Sequence, residues 1–354
     1  MFKVIFTVDY EIHGNGDGCP YSLMVEPTYR ILDLFDRYDA KLTIMAEVAE
    51  ILKFKEYKEA YGSDDYHYEA IAEQLREAVR RGHDVQLHIH PSYFNARHQN
   101  GRWVQDWQEY NLAGLPFERL DYMIRSGKHY LEELLKPVSP TYQCIAFRAA
   151  NWAVSPSHNV VRALVNNGFS IETSVFKYGR RDGIVSFDYS NAPSNLIPWP
   201  ADVNDICKRS DTSLITEVPI YAERRWIGAF LSTSRIHGVS MTRNHPIQST
   251  ITDGIDTRLS MTAGPKRLLA KLAMPFRLHS WKADFNKCTG QQLIRALERA
   301  DAEYGELTDD LPFVLIGHSK LFTQYNERSL SLFLNFVANQ PNRFDFGVFG
   351  DFSF

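Results

Sequence analysis

Asp84-Val85-Gln86-Leu87-His88-Ile89-His90-Pro91 alternates apolar and polar side chains, with Val85, Leu87 and Ile89 on one side and Gln86, His88 and His90 on the other. A period of two is that of a β-strand, whose successive side chains point to opposite faces. The preceding Arg80-Arg81-Gly82 ends an amphipathic stretch, and glycine suits the left-handed residue that closes a helix. The two imidazoles therefore share a face, with backbones roughly 7 Å apart. A single metal ion, with Zn–N bonds of about 2.0–2.1 Å, can take both. Pro91 stops the strand, so the pair lies at its C-terminal end, where α/β proteins gather ligands. A lone histidine is more often packed or solvated; a His-x-His pair gains weight as a metal site when a carboxylate joins it.

That carboxylate is found at the start of the chain. Residues 3–9, Lys-Val-Ile-Phe-Thr-Val-Asp, form a β-branched and aromatic run expected of a strand buried on both faces. Its end carries Asp9, Glu11 and His13 at alternate positions, before Gly14-Asn15-Gly16-Asp17-Gly18 breaks into a loop. Acids finishing a buried strand are costly unless paired or ligating; the bland alternative is that they are solvated at the loop.

The pattern repeats along the chain. Pro27 opens a helix with Ile31, Leu34, Phe35 and Tyr38 on one face, and Lys41 to Ala46 is the next strand. A helix spans Tyr68–Arg81, ahead of the His88/His90 strand. Ser92 to Leu115 is a long polar loop whose Trp103, Trp107 and Tyr110 either stack on sugar rings or pack the loop down. A helix is expected over Glu118–Lys136, then a strand over Gln143–Arg148 ending in arginine. Ser155-Pro156 starts another helix as N-cap and N1, closed by Gly168. Phe169–Val175 and Leu214–Ile220 are further strands. Thr289 caps a helix, Phe313–His318 is a buried strand ending in histidine, and a helix around Glu327–Val337 precedes a strand at Arg343–Phe349.

Strands alternating with helices imply a parallel sheet with right-handed crossovers, and seven or eight such units suggest a barrel. Four strands end in Asp/Glu, His/His, Arg and His, and in a β/α barrel all those ends share one rim.

At 354 residues the chain can bury a large core. Its net charge of −4 excludes the basic stripe of a nucleic-acid binder. The few apolar residues before Asp9 are too short for a signal-peptide core or a membrane span, and Cys19, Cys144, Cys207 and Cys288 form no Cys-x-x-Cys pair. A reduced, cytoplasmic protein is expected. Residues 221–285 are the least legible part, expected to be an insertion or lid on a single domain of residues 1–354. Ser240 to Thr262 is polar with little periodicity, and the basic, apolar Lys266–Arg277 is either a lid helix over the site or a contact with a membrane surface or partner.

Thr7-Val-Asp-Tyr-Glu11, Gly82-His-Asp-Val-Gln-Leu-His-Ile-His90, Phe147-Arg148 and Ile316-Gly-His318 resemble the successive motifs of the NodB-homology polysaccharide deacetylases, carbohydrate esterase family four. Gly168-Phe-Ser-Ile-Glu-Thr-Ser174 resembles the segment that follows the arginine motif, and order and spacing agree over roughly residues 3–220 and 290–350. The resemblance implies a distorted (β/α)7 barrel and removal of N-acetyl or related acyl groups from sugars with a divalent metal. The first motif commonly holds two adjacent aspartates; here Tyr10 takes the second place, and by resemblance to Asp-x-Glu members Asp9 is the base and Glu11 the ligand. Ser92 stands where the second motif histidine is usual, so His90 substitutes, and the usual Pro-Gly after Arg148 is absent.

The reaction so implied is metal-assisted hydrolysis. Glu11, His88 and His90 hold Zn²⁺ or a similar ion, leaving a position open. Asp9 is the general base, Arg148 orients it and keeps it ionised, and His318 protonates the leaving amine. Trp152, just past Arg148, is a packing residue or a wall of the acyl pocket. The substrate expected is an acetylated amino sugar or glycan precursor in surface polysaccharide synthesis; the oligomeric state is not readable. The rival readings are a metal-free amidohydrolase using Asp9, Arg148 and His318, and a non-catalytic glycan-binding protein that kept the barrel. Elemental analysis separates the first, and turnover on acetylated amino sugars the second.

Overall fold

The computed structural model describes residues 1–12, 14, 16–235, 278–307 and 309–352. The N-terminal apolar run forms β1 (Phe2–Tyr10), buried along its whole length apart from Lys3. On one edge β1 pairs in parallel with β14 (Leu311–His318). On the other, its second half pairs with β2 (Leu42–Glu47) and its first three residues with β15 (Phe344–Phe346). The sheet continues through β3 (Asp84–Ile89), β6 (Ala146–Ala149), β7 (Ile171–Glu172) and β11 (Thr216–Glu217), all parallel. An antiparallel edge strand, β10 (Trp199–Pro200), ends it.

Seven consecutive parallel strands thus run β11-β7-β6-β3-β2-β1-β14. Beyond β11 the chain turns back toward β14: Ile220 bridges Val314, and Asp284 bridges Ile316. Tyr221 N donates to Val314 O at 3.0 Å and Ile316 N to Ala283 O at 3.0 Å. These bonds close the curled sheet into a distorted (β/α)7 barrel. Two irregular stretches, not a regular strand, complete the ring.

The crossovers pack outside. They are α1 (Glu26–Asp36), then α2 (Val48–Tyr61) and α3 (Tyr68–Arg80), then α4 (Phe117–Leu135), α5 (His158–Asn166), α6 (Gly290–Tyr304) and α7 (Gln324–Ala338). Ile71, Ala72, Leu75 and Ala78 bury one face of α3, and Gly82 (φ +80°) follows it in the left-handed conformation that an L side chain resists. Gly168 (φ +70°) does the same after α5. Thr289 caps α6 in a capping box with Gln292, as its sequence predicts, a device worth about 1 kcal/mol. Phe6 on the outer face of β1 meets Phe35 of α1 at 4.8 Å and Phe333 of α7 at 5.8 Å, edge to face. Burying such a ring contributes about 1.5–3 kcal/mol.

Several sequence expectations need correction. The helix α2 was not anticipated: its buried Val48, Ala49, Ile51 and Phe54 crowd its first half, so no 3.6-residue stripe runs its length. The helix expected from Ser155-Pro156 begins instead at His158; the hydroxyl of Ser157 makes no cap, and accepts from Ile206 N at 3.0 Å. The expected strands at Phe169–Val175 and Leu214–Ile220 shrink to two paired residues each, because the barrel wall is irregular there.

The long loop after β3 holds a small hairpin, β4 (Arg97–Gln99) with β5 (Arg102–Val104). Trp103 is buried in it against Tyr66 (5.6 Å) and His98 (5.4 Å), a packing role. A second hairpin joins β8 (Arg180–Arg181) to β9 (Phe187–Asp188). Within residues 221–285, β12 (Ala222–Arg225) pairs antiparallel with β13 (His279–Lys282). Ser240 to Thr262, Lys266–Arg277 and His13 lie outside the described residues. No described helix is long and apolar enough to cross a membrane.

Candidate functional site

Register does the assembling. Asp9 pairs with His318, Glu47 with His88, and His88 with Arg148, so the polar ends of five strands sit side by side on the C-terminal rim. The six residues singled out from the sequence, Asp9, Glu11, His88, His90, Arg148 and His318, converge there in two linked groups.

The first group is built on Arg148, which is 0% exposed. Its Nη1 donates to Asp9 Oδ1 and Thr7 Oγ1, both at 2.8 Å, and its Nε to Thr173 O at 3.0 Å. Burial alone pushes the Asp9 carboxyl up, but the Arg148 guanidinium, helped by His88 and His318, holds it below its ordinary value. Asp9 Oδ2 lies 3.5 Å from His318 Nε2. The His318 backbone N donates to Asn286 Oδ1 at 2.6 Å, fixing the strand end that carries the ring. Burial pushes the His318 imidazole down to about 4 despite the pull of Asp9, so the ring is neutral at pH 7. Three buried donors or acceptors here, Arg148 Nη2, His318 Nδ1 and Trp152 Nε1, meet no partner among the described residues. Buried polar atoms are normally satisfied, and these three lie close together around the Asp9–His318 pair.

The second group is Glu11, His88 and His90. Glu11 Oε2 lies 2.8 Å from His90 Nε2 and 3.6 Å from His88 Nε2. Their ligating atoms all fall within 4.8 Å of one another. His88 Nδ1 lies 2.9 Å from Arg148 O, and toward a carbonyl a ring nitrogen must donate; Nε2 is thereby left facing the carboxylate. Lys320 Nζ donates to Glu11 Oε1 at 2.8 Å and to Ile12 O at 2.6 Å. Burial pushes Glu11 up, but Lys320, His90 and the ring hydrogen bonds hold it well below the usual range. Burial pulls His88 down, and its bond to Glu11 with the charges of Asp9, Glu11 and Glu47 raises it to about 9. Two imidazoles and one carboxylate on one side, with the Arg148 carbonyl aiming the His88 ring, are a donor set that fits a divalent cation.

The departures from the family motifs now have causes. Tyr10 turns to the opposite face of β1, fully buried, and its hydroxyl donates to Gln74 Oε1 on α3 at 2.8 Å. Its side chain cannot reach the site, and Glu11 supplies the carboxylate. Ser92 is fully buried and donates to Gln105 Oε1 at 2.7 Å, while His90 reaches Glu11. Trp152 sits 6.3 Å from the His318 ring, edge on, beside Phe176.

Sequence reasoning missed four residues. Glu47 ends β2 and accepts from the His90 backbone N and from Glu50 N, anchoring the His90 strand end; reading β2 as stopping at Ala46 hid it. Lys320 lies two positions past His318, the alternation that found the other groups. Lys282 comes from the least legible stretch, residues 221–285, and Asn286 follows that stretch directly; neither carries a local signal.

No protein-family model matches the chain, and no curated protein matches its sequence. Solved structures do. A candidate glycoside hydrolase/deacetylase from Parabacteroides distasonis aligns with 11% identity and a TM-score of 0.53, over 99% of this chain and 68% of that one. The 4-alpha-glucanotransferase from Thermococcus litoralis aligns with 12% identity and a TM-score of 0.51, over 99% of this chain; this chain spans only 40% of that enzyme. A candidate polysaccharide deacetylase from Mycobacterium smegmatis aligns with 14% identity and a TM-score of 0.46, over 99% and 87%. At these identities the likeness concerns architecture. The chain has the distorted (β/α)7 barrel fold of the polysaccharide deacetylase type.

Proposed function

We propose that this chain is a metal-dependent hydrolase that removes an N-acetyl or related acyl group from an amino sugar. One observation carries the reading: two imidazoles and a carboxylate within 4.8 Å of one another stand beside an aspartate held ionised by a buried arginine. Glu11, His88 and His90 would hold the ion, and zinc suits that donor set. Bound there, a divalent ion acidifies water and polarises an acyl carbonyl.

The remaining chemistry belongs to the chain. Asp9 takes the proton of the attacking water, and Arg148 keeps its carboxylate charged and pointed. His318 starts neutral: Nε2, 3.5 Å from Asp9 Oδ2, receives that proton, while Nδ1–H is given to the leaving nitrogen. Neither group has to hold the proton for long. We take residues 1–354 as one catalytic domain with residues 221–285 inserted at its rim, the β12–β13 ladder being the base of the insertion. The substrate class is a cytoplasmic precursor of a surface polysaccharide.

The test is turnover on a panel of N-acetylated and otherwise acylated amino sugars, with wild type and Asp9→Asn assayed side by side in zinc. Wild type is expected to turn over part of the panel, and Asp9→Asn to lower kcat about 10²–10⁴-fold. A zinc-loaded wild type that leaves every sugar intact rejects the proposal.

Metal uptake should also depend on pH. A ligating imidazole must be neutral, and His88 carries its proton up to about 9. Zinc binding therefore displaces that proton at neutral pH, and apparent affinity should rise about tenfold per pH unit between pH 6 and 8. Competitive chelator titrations at pH 6, 7 and 8 check the slope; a flat profile shows that His88 carries no proton to displace at neutral pH.

A further inference from the structure

Lys282 ends β13 and reaches into the same pocket. Its Nζ lies 3.3 Å from the centre of the Trp152 ring and 4.1 Å from that of Phe176. Trp152 in turn edges against His318, with ring centroids 6.3 Å apart, so one indole links this ammonium to the Asp9–His318 pair. Among the described residues no carboxylate or other acceptor meets Nζ.

The surrounding charges are already matched. The groups whose fields reach Lys282 most strongly are Lys287, Asp284, Asp9 and Arg148. They form two closed pairs: Lys287 Nζ is 2.9 Å from Asp284 Oδ2, and Arg148 Nη1 is 2.8 Å from Asp9 Oδ1. Glu11 has its own cation in Lys320 at 2.8 Å. Lys282 is a surplus positive charge in a partly buried place, and a divalent ion on Glu11, His88 and His90 adds to the surplus. Two ring faces offset part of its desolvation. They do not neutralise it: burial, with Lys287, pushes the amine down to about 7 although Asp284 and Asp9 pull the other way. An unpaired cation is expensive to keep in such a site unless an anion arrives to meet it.

We propose that Lys282 is a specificity-determining residue that selects substrates carrying an anionic oxygen group, a carboxylate or a phosphate, close to the acylated amine. The substrate-class part rests on the hydrolase reading above; the binding part stands on the geometry. An anion beside Nζ completes the charge pairing of the pocket, and the Trp152 and Phe176 rings hold the ammonium in place to receive it. A neutral amino sugar gains no such contact and leaves the ammonium unpaired.

The experiment is calorimetric binding, at pH 6.5 and low salt, to zinc-loaded wild type, Lys282→Gln and Lys282→Arg. The three ligands are N-acetylglucosamine, its 1-phosphate and its uronate analogue, and turnover of each is assayed in parallel. Wild type is expected to bind at least one anionic sugar tenfold or more tightly than the neutral one, and which one distinguishes phosphate from carboxylate. Lys282→Gln should bring that ratio to within about twofold, and Lys282→Arg should keep most of it. Equal affinity for all three sugars, no binding of any, or a preference that survives in Lys282→Gln overturns the inference. An anion preference without turnover of any sugar removes the hydrolase reading and leaves Lys282 as an anion-binding residue; turnover without the preference does the reverse.

Discussion

Replacing His88 and His90 together with alanine is expected to abolish zinc uptake and to lower turnover by about a thousandfold or more, in a chain that still folds. The loss of metal follows from the donor count. Only Glu11 remains, already engaged by Lys320 at 2.8 Å, whereas catalytic zinc sites use three protein ligands. The loss of turnover follows from magnitude: carbonyl polarisation is worth several kcal/mol, and each 1.4 kcal/mol or so is tenfold in rate. Folding survives because neither ring belongs to the apolar core. The bond lost from His88 Nδ1 leaves Arg148 O without that partner, at a cost of about 1–3 kcal/mol. Elemental analysis, thermal unfolding and turnover on the same preparations check all three parts. A folded double variant that keeps metal and turnover refutes the ligand assignment.

Arg148→Met is the second large effect, and it acts on stability first. Arg148 and Asp9 are both buried, and removing one partner of such a pair leaves an uncompensated charge. The expected cost is about 3–5 kcal/mol. Its pH dependence carries the diagnosis. In wild type the folded Asp9 pKa is depressed, so its contribution is present above the unfolded value of about 3.9 and fades as pH falls through the folded one. Without Arg148, burial dominates and the folded pKa rises. The variant then binds more protons folded than unfolded in the window above about 3.9, and loses stability as pH rises through it. Urea denaturation should show a larger gap from wild type at pH 7.5 than at pH 5. Equal gaps at the two pH values indicate lost packing alone, and exclude Arg148 as the group that keeps Asp9 charged.

Some of the fold was legible because it is written at short range. The two-residue period of Val85 to His90 and the β-branched run of residues 3–9 are local properties, as are the Thr289 cap and the glycines that close α3 and α5. Where the wall of the barrel is irregular, at residues 171–172 and 216–217, strand-like composition overstated the paired length. In α2 the apolar residues occupy one half only, so periodicity had nothing to report.

The site divides the same way. The residue pattern alone shows that His88 and His90 share a face, that acids end the first strand, and that an arginine and a histidine end two later ones. It takes the folded chain to show that Arg148 grips Asp9 and that Tyr10 turns away toward Gln74 while Glu11 stays with the histidines. The fold alone showed Lys320 bound to Glu11 and Lys282 standing over two aromatic rings with no counter-charge among the described residues. The reason is physical: local periodicity fixes which side of its own strand a residue faces. Strand order and register, which set Asp9 against His318 across more than three hundred positions, arise only when the whole sheet has closed.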